Sequence, residues 1–265
     1  MAITNYIPQV WSSAVFTSFE QSQVVIPTLN TLFTGDVTFG NQVNITGAVT
    51  PTIGTYSGTA TNQTLSDSTV ALGIDQKKYF AFKVDDVNAV QARGDFDSWS
   101  RAAGAALAAD SESYVIAQMI ADGTDLGDTA ITDGTEAKAA LRTLRTALSA
   151  QNVPASNRYC VVNSAMADLV LAGLSDAAQA GSDSELRNGV IGRLYGMTIV
   201  ESSLFAEELP QAIAYHADMV AYVSQLDSVE ALRDTSSFSD IIRGLHVYGA
   251  QVVQDAAVQF ITATA

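Results

Sequence analysis

Val37-Thr38-Phe39-Gly40-Asn41-Gln42-Val43-Asn44-Ile45-Thr46-Gly47-Ala48-Val49-Thr50-Pro51-Thr52-Ile53-Gly54 alternates with period two. Val37, Phe39, Val43, Ile45, Val49 and Ile53 fall on one parity, and Thr38, Gln42, Asn44, Thr46, Thr50 and Thr52 on the other. Alternation of this kind, rich in Thr and Gly, predicts a long, half-buried hairpin, with turn residues at Pro51, Gly54 and Gly58. The stretch lies in a part of the chain with little charge. No Lys or Arg occurs from Met1 to Gln76, and no charge of either sign between Val37 and Ser66. A two-stranded ribbon is marginal in water by itself and needs a surface to lie on. A second copy of the same chain is the simplest such surface.

Outward from the hairpin, the N-terminal 31 residues are mixed. Trp11, Val15, Phe16, Phe19 and Glu20 suit a short helix that Pro27 stops, and the segment reads as an arm that packs on something. After the hairpin, Val70 to Val84 returns as strand, interrupted by Lys77 and Lys78, a pair that discourages edge pairing or meets an acidic neighbour. A long helix starts near Asp97, capped by Asp95 or Asp97. Trp99, Ala103, Leu107, Tyr114, Ala117 and Ile120 mark its packed face, an alanine-rich face allows close approach, and Gly123 ends it. A second helix runs from Thr135 as N-cap through Ala137, Leu141, Leu144 and Leu148. Arg158 to Val162 is a strand, Met166 to Leu171 a third helix ended by Gly173, and Leu174 to Asn188 a surface loop. Thr198-Ile199-Val200 centres another strand. Two short apolar segments flank Asp218, and Ile241 to Thr262 reads mostly as strand. The fold class is α+β, with no internal repeat.

Composition narrows the function. The chain has 265 residues, 48% hydrophobic and 15% charged, enough to bury a sizeable core and below the usual charged share of about 25%. A protein that hides surface against neighbours needs fewer solvating charges. The net charge of −15 argues against a sequence-specific DNA reader, which needs clustered Lys and Arg. Lys138, Arg142 and Arg145 form at most a small helical patch that reads as a solvated face. Cys160 is the only cysteine; it excludes a disulfide framework and sits in an apolar run that predicts burial. No basic region opens the chain and no apolar run reaches about eighteen residues, so neither a secretory signal nor a membrane span is expected, and the chain reads as soluble and made in a cytoplasm.

Enzymatic constellations are thin. His216 and His246 are the only histidines and lie far apart in sequence; a Cys160–His pair has no local support. There is no P-loop, no GxGxxG after a strand, no His-Glu-x-x-His and no cysteine pair for zinc. Asp122, Asp125, Asp128 and Asp133 lack the alternate spacing of a calcium loop and read as an Asp/Gly turn. Asp85-Asp86 and Glu207-Glu208 read as solvating charges. No catalytic residue, cofactor or metal site is expected. Asn44-Ile45-Thr46 and Asn62-Gln63-Thr64 match glycosylation sequons that an unexported chain does not use.

Three stretches resemble a known family. Leu72-Gly73-Ile74-Asp75-Gln76-Lys77-Lys78-Tyr79-Phe80-Ala81-Phe82-Lys83-Val84-Asp85-Asp86 is similar to the return strand of an extended loop. Arg101-Ala102-Ala103-Gly104-Ala105-Ala106-Leu107-Ala108 is similar to the start of a spine helix. Ile191-Gly192-Arg193-Leu194-Tyr195-Gly196-Met197-Thr198-Ile199-Val200-Glu201-Ser202 resembles a Gly-x-x-x-Gly turn entering an axial-domain strand. The whole resembles a tailed-bacteriophage major capsid protein of the Hong Kong 97 fold. Gly192 and Gly196 suit positive φ or close backbone approach.

The resemblance implies an N-terminal arm over 1–33, an extended loop over 34–82, and a peripheral domain with the spine helix over 83–157. It implies an axial domain over 158–235 and C-terminal strands over 236–265 that return to the peripheral domain. It implies self-assembly into hexamers and pentamers of an icosahedral virion shell around double-stranded DNA, in the host cytoplasm, with a separate scaffolding protein and a portal. Phe39, Val43, Ile45, Lys77, Lys78, Trp11 and Phe16 are the expected inter-subunit contacts. Lys77 and Lys78 lie at the loop base, so lysine cross-linking is not expected. An acidic shell repels phosphate and does not grip DNA by sequence. An encapsulin-type nanocompartment shares the fold, and a surface-layer or adhesin-like protein is the alternative of another class.

Overall fold

The computed structural model describes residues 18–19, 23–33, 41–47, 53–56, 68–85, 97–177, 192–206, 208–234 and 236–264. Trp11, Phe16 and Phe39, and the turn at Pro51 and Gly58, lie outside them. Three sheets and three α-helices make up the described fold.

The first sheet is a two-stranded ribbon. β1 (Gln42–Gly47) pairs antiparallel with β2 (Ser68–Gly73), with Val43 opposite Leu72 and Ile45 opposite Val70. Among the described residues, the strand that opens the neutral stretch therefore pairs beyond Ser66. Ile53, expected on the buried parity, is irregular and 94% exposed. The alternation over β1 itself holds: Gln42 and Asn44 are exposed, Val43 is half-buried and Ile45 is buried.

The second sheet has the order β3-β10-β9. β3 (Gln76–Asp85) runs unbroken through Lys77 and Lys78, where the sequence predicts an interruption. It pairs antiparallel with β10 (Ser239–Val252), which pairs antiparallel with β9 (Val220–Arg233). The sheet's edge strand β3 thus carries both lysines, the arrangement that blunts an edge. β9 and β10 form one long hairpin with a register shift at Val247/Tyr248.

The third sheet is mixed, in the order β4-β11-β8-β5-β7-β6: β4 (Thr124–Asp125), β5 (Arg158–Val162), β6 (Arg193–Leu194), β7 (Met197–Glu201), β8 (Gln211–His216) and β11 (Val258–Thr262). Its central strands are buried on both faces, which explains their near-continuous apolar sequence. Cys160, Val162, Ala212 and Ala214 face one cluster with Leu141, Leu144, Leu148 and Met166. Val161, Ile213 and Tyr215 face the other, with Val115, Ile116 and Met119. Alternate residues of a strand thus separate the two cores.

α1 (Asp97–Asp122) is the long helix, 26 residues or about 39 Å at 1.5 Å per residue. Its packed stripe is Ala108, Ser111, Glu112, Val115, Ile116 and Met119. The expected face is rotated away from the core: Trp99 and Ala117 are exposed, and Ala103, Leu107, Tyr114 and Ile120 are half-buried. The alanine-rich run does not bury as a face either, with Ala102 and Ala106 exposed. Gly123 follows the helix without positive φ; a Cβ there would stand 2.3 Å from the Met119 carbonyl oxygen, so only glycine fits.

α2 (Gly134–Ala150) is capped by Asp133, not Thr135: the Asp133 carboxylate accepts the Thr135 and Glu136 amides, each at 2.8 Å. Ala137, Leu141, Leu144 and Leu148 are buried as the spacing predicts. α3 (Ser164–Ala177) continues past Gly173. Gly173 is a crossing point and not a terminus, because a Cβ there would lie 2.3 Å from the Gly134 carbonyl oxygen.

Candidate inter-subunit surfaces

The N-terminal segment is clipped to α1. Glu112, 1% exposed, turns one carboxylate oxygen to three successive amides: Val24, Val25 at 2.6 Å and Ile26 at 3.3 Å. These amides open a 3-10 turn, Ile26–Thr28, and as its first N–H groups they have no carbonyl partner within it. Thr28 then meets the Tyr215 hydroxyl at 2.5 Å, and Asn30 exchanges backbone hydrogen bonds with Val220 and Tyr222, each 3.0 Å. Burial pushes the Tyr215 hydroxyl well above its ordinary range. Pro27 lies within this turn. Of the expected arm helix, only Ser18 and Phe19 are described, as helical; the Ser18 hydroxyl donates to the Arg101 carbonyl at 2.7 Å, and the Phe19 ring meets His246 edge-on at 5.0 Å.

The ribbon is seated on its own chain. Ile45, Leu72 and Ile74 pack with Ala221, Val223 and Val247, and Val43 and Phe33 lie against them. Ile45, expected at a neighbouring subunit, is 7% exposed and spent inside this cluster. Gly249 makes the seat possible, since a Cβ there would stand 2.1 Å from the Gly73 carbonyl oxygen. Lys77 is exposed and Lys78 is paired within the chain, with Asp110 at 3.3 Å. Asp110 also accepts the Tyr248 hydroxyl at 2.6 Å, so one carboxylate ties α1 to β3 and β10. Burial first, then this contact, pushes the Tyr248 hydroxyl up.

At the far end of the β9–β10 hairpin, Asp234 organises the tip. It accepts from Lys83, from the Ser236 amide at 3.0 Å and from the Ser237 hydroxyl at 2.7 Å. Lys83 foremost, then these donors, holds its carboxyl well below the usual range. Phe238 beside it is 81% exposed.

Gly192 (φ +67) and Gly196 (φ +83) take the positive φ expected of them. Gly196 forms with Tyr195 (φ +51) the two-residue turn of the β6–β7 hairpin, where both central residues need positive φ. Tyr195 was not singled out in the sequence; it sits in the turn at a cost that Asn or Gly would not carry. Met197 and Ile199 are buried and Thr198 is exposed, so the strand is half-buried.

Elsewhere the side chains serve structure. Cys160 is fully buried and desolvation pushes its thiol up to about 12; in register it faces Ala214, two residues from His216. His216 accepts the Asp218 amide at 3.3 Å. His246 lies 3.2 Å from the Tyr222 hydroxyl and stacks on Tyr248. The aspartates of the 122–133 loop are spent separately: Asp122 on Gln251, Asp125 on the Gly127 amide and Asp133 on the cap. Among the described residues no cluster is arranged to hold a metal ion, and no helix is long and apolar enough to cross a membrane.

The chain as a whole is similar to known proteins. The family model described as phage capsid protein matches residues 69–260. A structure from Mycobacterium phage Che8 is 37% identical, covers 90% of both chains and superposes with a TM-score of 0.83. The capsid of cyanophage P-SCSP1u is 16% identical over 86% of this chain and 85% of that one, TM-score 0.70. A virus-like particle from Pyrococcus furiosus is 14% identical over 97% and 99%, TM-score 0.64, a likeness of fold alone. No curated protein sequence matches. With a family model spanning most of its length, this chain belongs to the phage capsid protein family.

Proposed function

We propose that this chain is the repeating subunit of the icosahedral head of a tailed phage, enclosing double-stranded DNA. The observation that supports it most is the likeness to the Che8 structure, 37% identical across 90% of both chains. Its role is architectural, not enzymatic. The subunits gather as hexamers and pentamers, heterologous contacts that close into rings and then into a shell. Weak contacts suffice, because many act together. The division of labour follows the family: an arm over 1–33, an extended loop over 34–82 rooted in the sheet by β3, a peripheral domain over 83–157 joined by the strands of 236–265, and an axial domain over 158–235. Phe39, Trp11, Phe16, Val43 and Lys77 are the proposed contacts between subunits. Assembly takes place in the host cytoplasm with a separate scaffolding protein and a portal. The charge of −15 keeps the shell from gripping the packed DNA.

The test is electron microscopy of negatively stained material from the chain expressed alone and with its scaffolding partner. Closed shells or curved sheets are expected. A monodisperse monomer under both conditions overturns the reading.

A further inference from the structure

The sequence from Ala137 to Ala167 holds four Lys or Arg and no Asp or Glu, in a chain whose net charge is −15. Two of the four, Arg145 and Arg158, come together where α2 ends. The Arg158 guanidinium donates to the Ser149 hydroxyl at 3.0 Å. Arg145 lies one helical turn before Ser149 on the same face, and its carbonyl accepts that hydroxyl at 3.0 Å. Arg145 is exposed, whereas Arg158 is 6% exposed. One cation faces solvent and the other is withdrawn from it.

A buried charge is normally paired. Among the described residues no carboxylate pairs with Arg145 or Arg158. Arg158 donates otherwise to the Pro154 carbonyl at 2.8 Å and the Val153 carbonyl at 2.5 Å, so three of its donors go to neutral acceptors and two of a guanidinium's five are left over. The end of α2 does not use the charge either. The carbonyls of Ala147, Leu148 and Ser149 already accept the amides of Gln151, Val153 and Asn152. Burial first, and then the Arg145 charge, disfavours the Arg158 cation.

A third donor joins them. In the β5–β8 register Arg158 stands directly opposite His216, on the same face of the sheet. His216 Nδ1 accepts the Asp218 amide at 3.3 Å, so Nε2 carries the ring proton. That N–H is buried and meets no acceptor among the described residues. The Asp218 carboxylate lies 3.8 Å from Nδ1, the other ring nitrogen.

We propose that Arg145, Arg158 and His216 form a binding site for a phosphate group. Guanidinium forks match the oxygens of a phosphate, two cations balance a dianion, and the imidazole N–H adds a neutral donor. The phosphate comes either as the free inorganic ion or as part of a nucleic-acid backbone. The second source rests on the shell reading above; the first does not. A single site of this kind leaves the acidic remainder of the chain repelling DNA.

Arg158 also fastens residues 149–154, so the deciding variant is Arg145→Gln, at an exposed position. Arg193→Gln, exposed on β6, controls for the loss of one positive charge. Inorganic phosphate is titrated into the full chain at constant ionic strength and followed by phosphorus NMR and by amide exchange over 153–158. Expected are saturable binding, slower exchange over 153–158, an affinity about tenfold or more weaker in Arg145→Gln, the scale of one charge-assisted hydrogen bond, and no change in Arg193→Gln. No saturable binding, an affinity unchanged in Arg145→Gln, or equal weakening in both variants overturns the proposal. A short DNA duplex that displaces the bound phosphate assigns the site to nucleic acid; phosphate that the duplex does not displace assigns it to the free ion. Phosphate binding by a chain that forms no shells leaves this proposal standing and brings down the shell reading.

Discussion

The Glu112 carboxylate accepts the Val25 amide at 2.6 Å across 87 positions of sequence, and the same oxygen serves Val24 and Ile26. A single buried side chain thereby clips residues 24–26 to α1. Three adjacent amides around one anion are the arrangement a helix N-terminus offers a phosphate, here filled by the protein's own acid.

Glu112→Ala strands those amides without an acceptor, and leaving buried donors unpaired costs about 2–4 kcal/mol in total. In a chain of this size that lowers the melting temperature by roughly 5–10 °C. Glu112→Gln keeps a carbonyl oxygen in place and loses less. Hydrogen exchange at Val25 and Ile26 separates the cases: fast in the alanine variant, largely protected in the glutamine one. Equal protection in both would mean that the clip does not hold the segment.

Gly134 and Gly173 bring α2 and α3 into backbone contact, and Lys138 donates to the Gly173 carbonyl at 2.9 Å. Gly173→Ala sets a Cβ 2.3 Å from a carbonyl oxygen that is held in the first turn of α2. Overpacking of this sort costs about 1–3 kcal/mol, read as a lower urea midpoint. An unchanged midpoint would show that the helices slide apart freely.

Gly196→Ala isolates backbone strain, because nothing lies within 4 Å of its missing Cβ while φ is +83°. The left-handed conformation costs an L-residue roughly 1–2 kcal/mol. Denaturant unfolding measures it, and a neutral result would place the turn in another conformation.

Much of this architecture was legible in the chain. The extent of α1, the buried face of α2, the parity of Val43 and Ile45, and the positive φ of Gly192 and Gly196 follow from local spacing. The misreadings have physical causes. The packed stripe of α1 contains Ser111 and Glu112, two polar residues buried because their partners are backbone groups, Ala108 and residues 24–26. A periodicity search that counts only apolar residues therefore rotates the helix. The partner of β1 is set by long-range pairing that alternation does not encode. Lys77 and Lys78 fit a strand because Lys78 reaches Asp110. Gly173 looks like a helix end in sequence and is a helix crossing in space. Ile45 looked like a contact for a neighbour because nothing local announces the cluster with Ala221 and Val247.

The Asp234 tip should be indifferent to mild acid. Its carboxyl is held below the ordinary range by Lys83, the Ser236 amide and the Ser237 hydroxyl. A depressed folded pKa stabilises at any pH above the unfolded value of about 4 and is lost only as pH falls through the folded one. Amide exchange at Ser236, corrected for intrinsic rate, is therefore expected to stay constant from pH 8 to pH 5. The tip loosens only in strong acid, and Asp234→Asn should loosen it at every pH. Loosening near pH 6 would assign the tip's order to another group.

Gly249→Ala addresses the joint between ribbon and body. The Cβ would stand 2.1 Å from the Gly73 carbonyl oxygen and 3.2 Å from the Ile74 Cα, both backbone atoms that cannot swing aside. The ribbon must lift or β10 must shift. β10 is held along its length by β9 and β3, whereas β2 is held by β1 and the small cluster around Leu72. The ribbon therefore gives way first. Expected are faster exchange over 68–73, a loss of about 1–3 kcal/mol from overpacking, and a fall in shell yield larger than the loss of soluble subunit. A variant that forms shells at the normal yield with a displaced ribbon would show that the seat of the ribbon does not govern assembly.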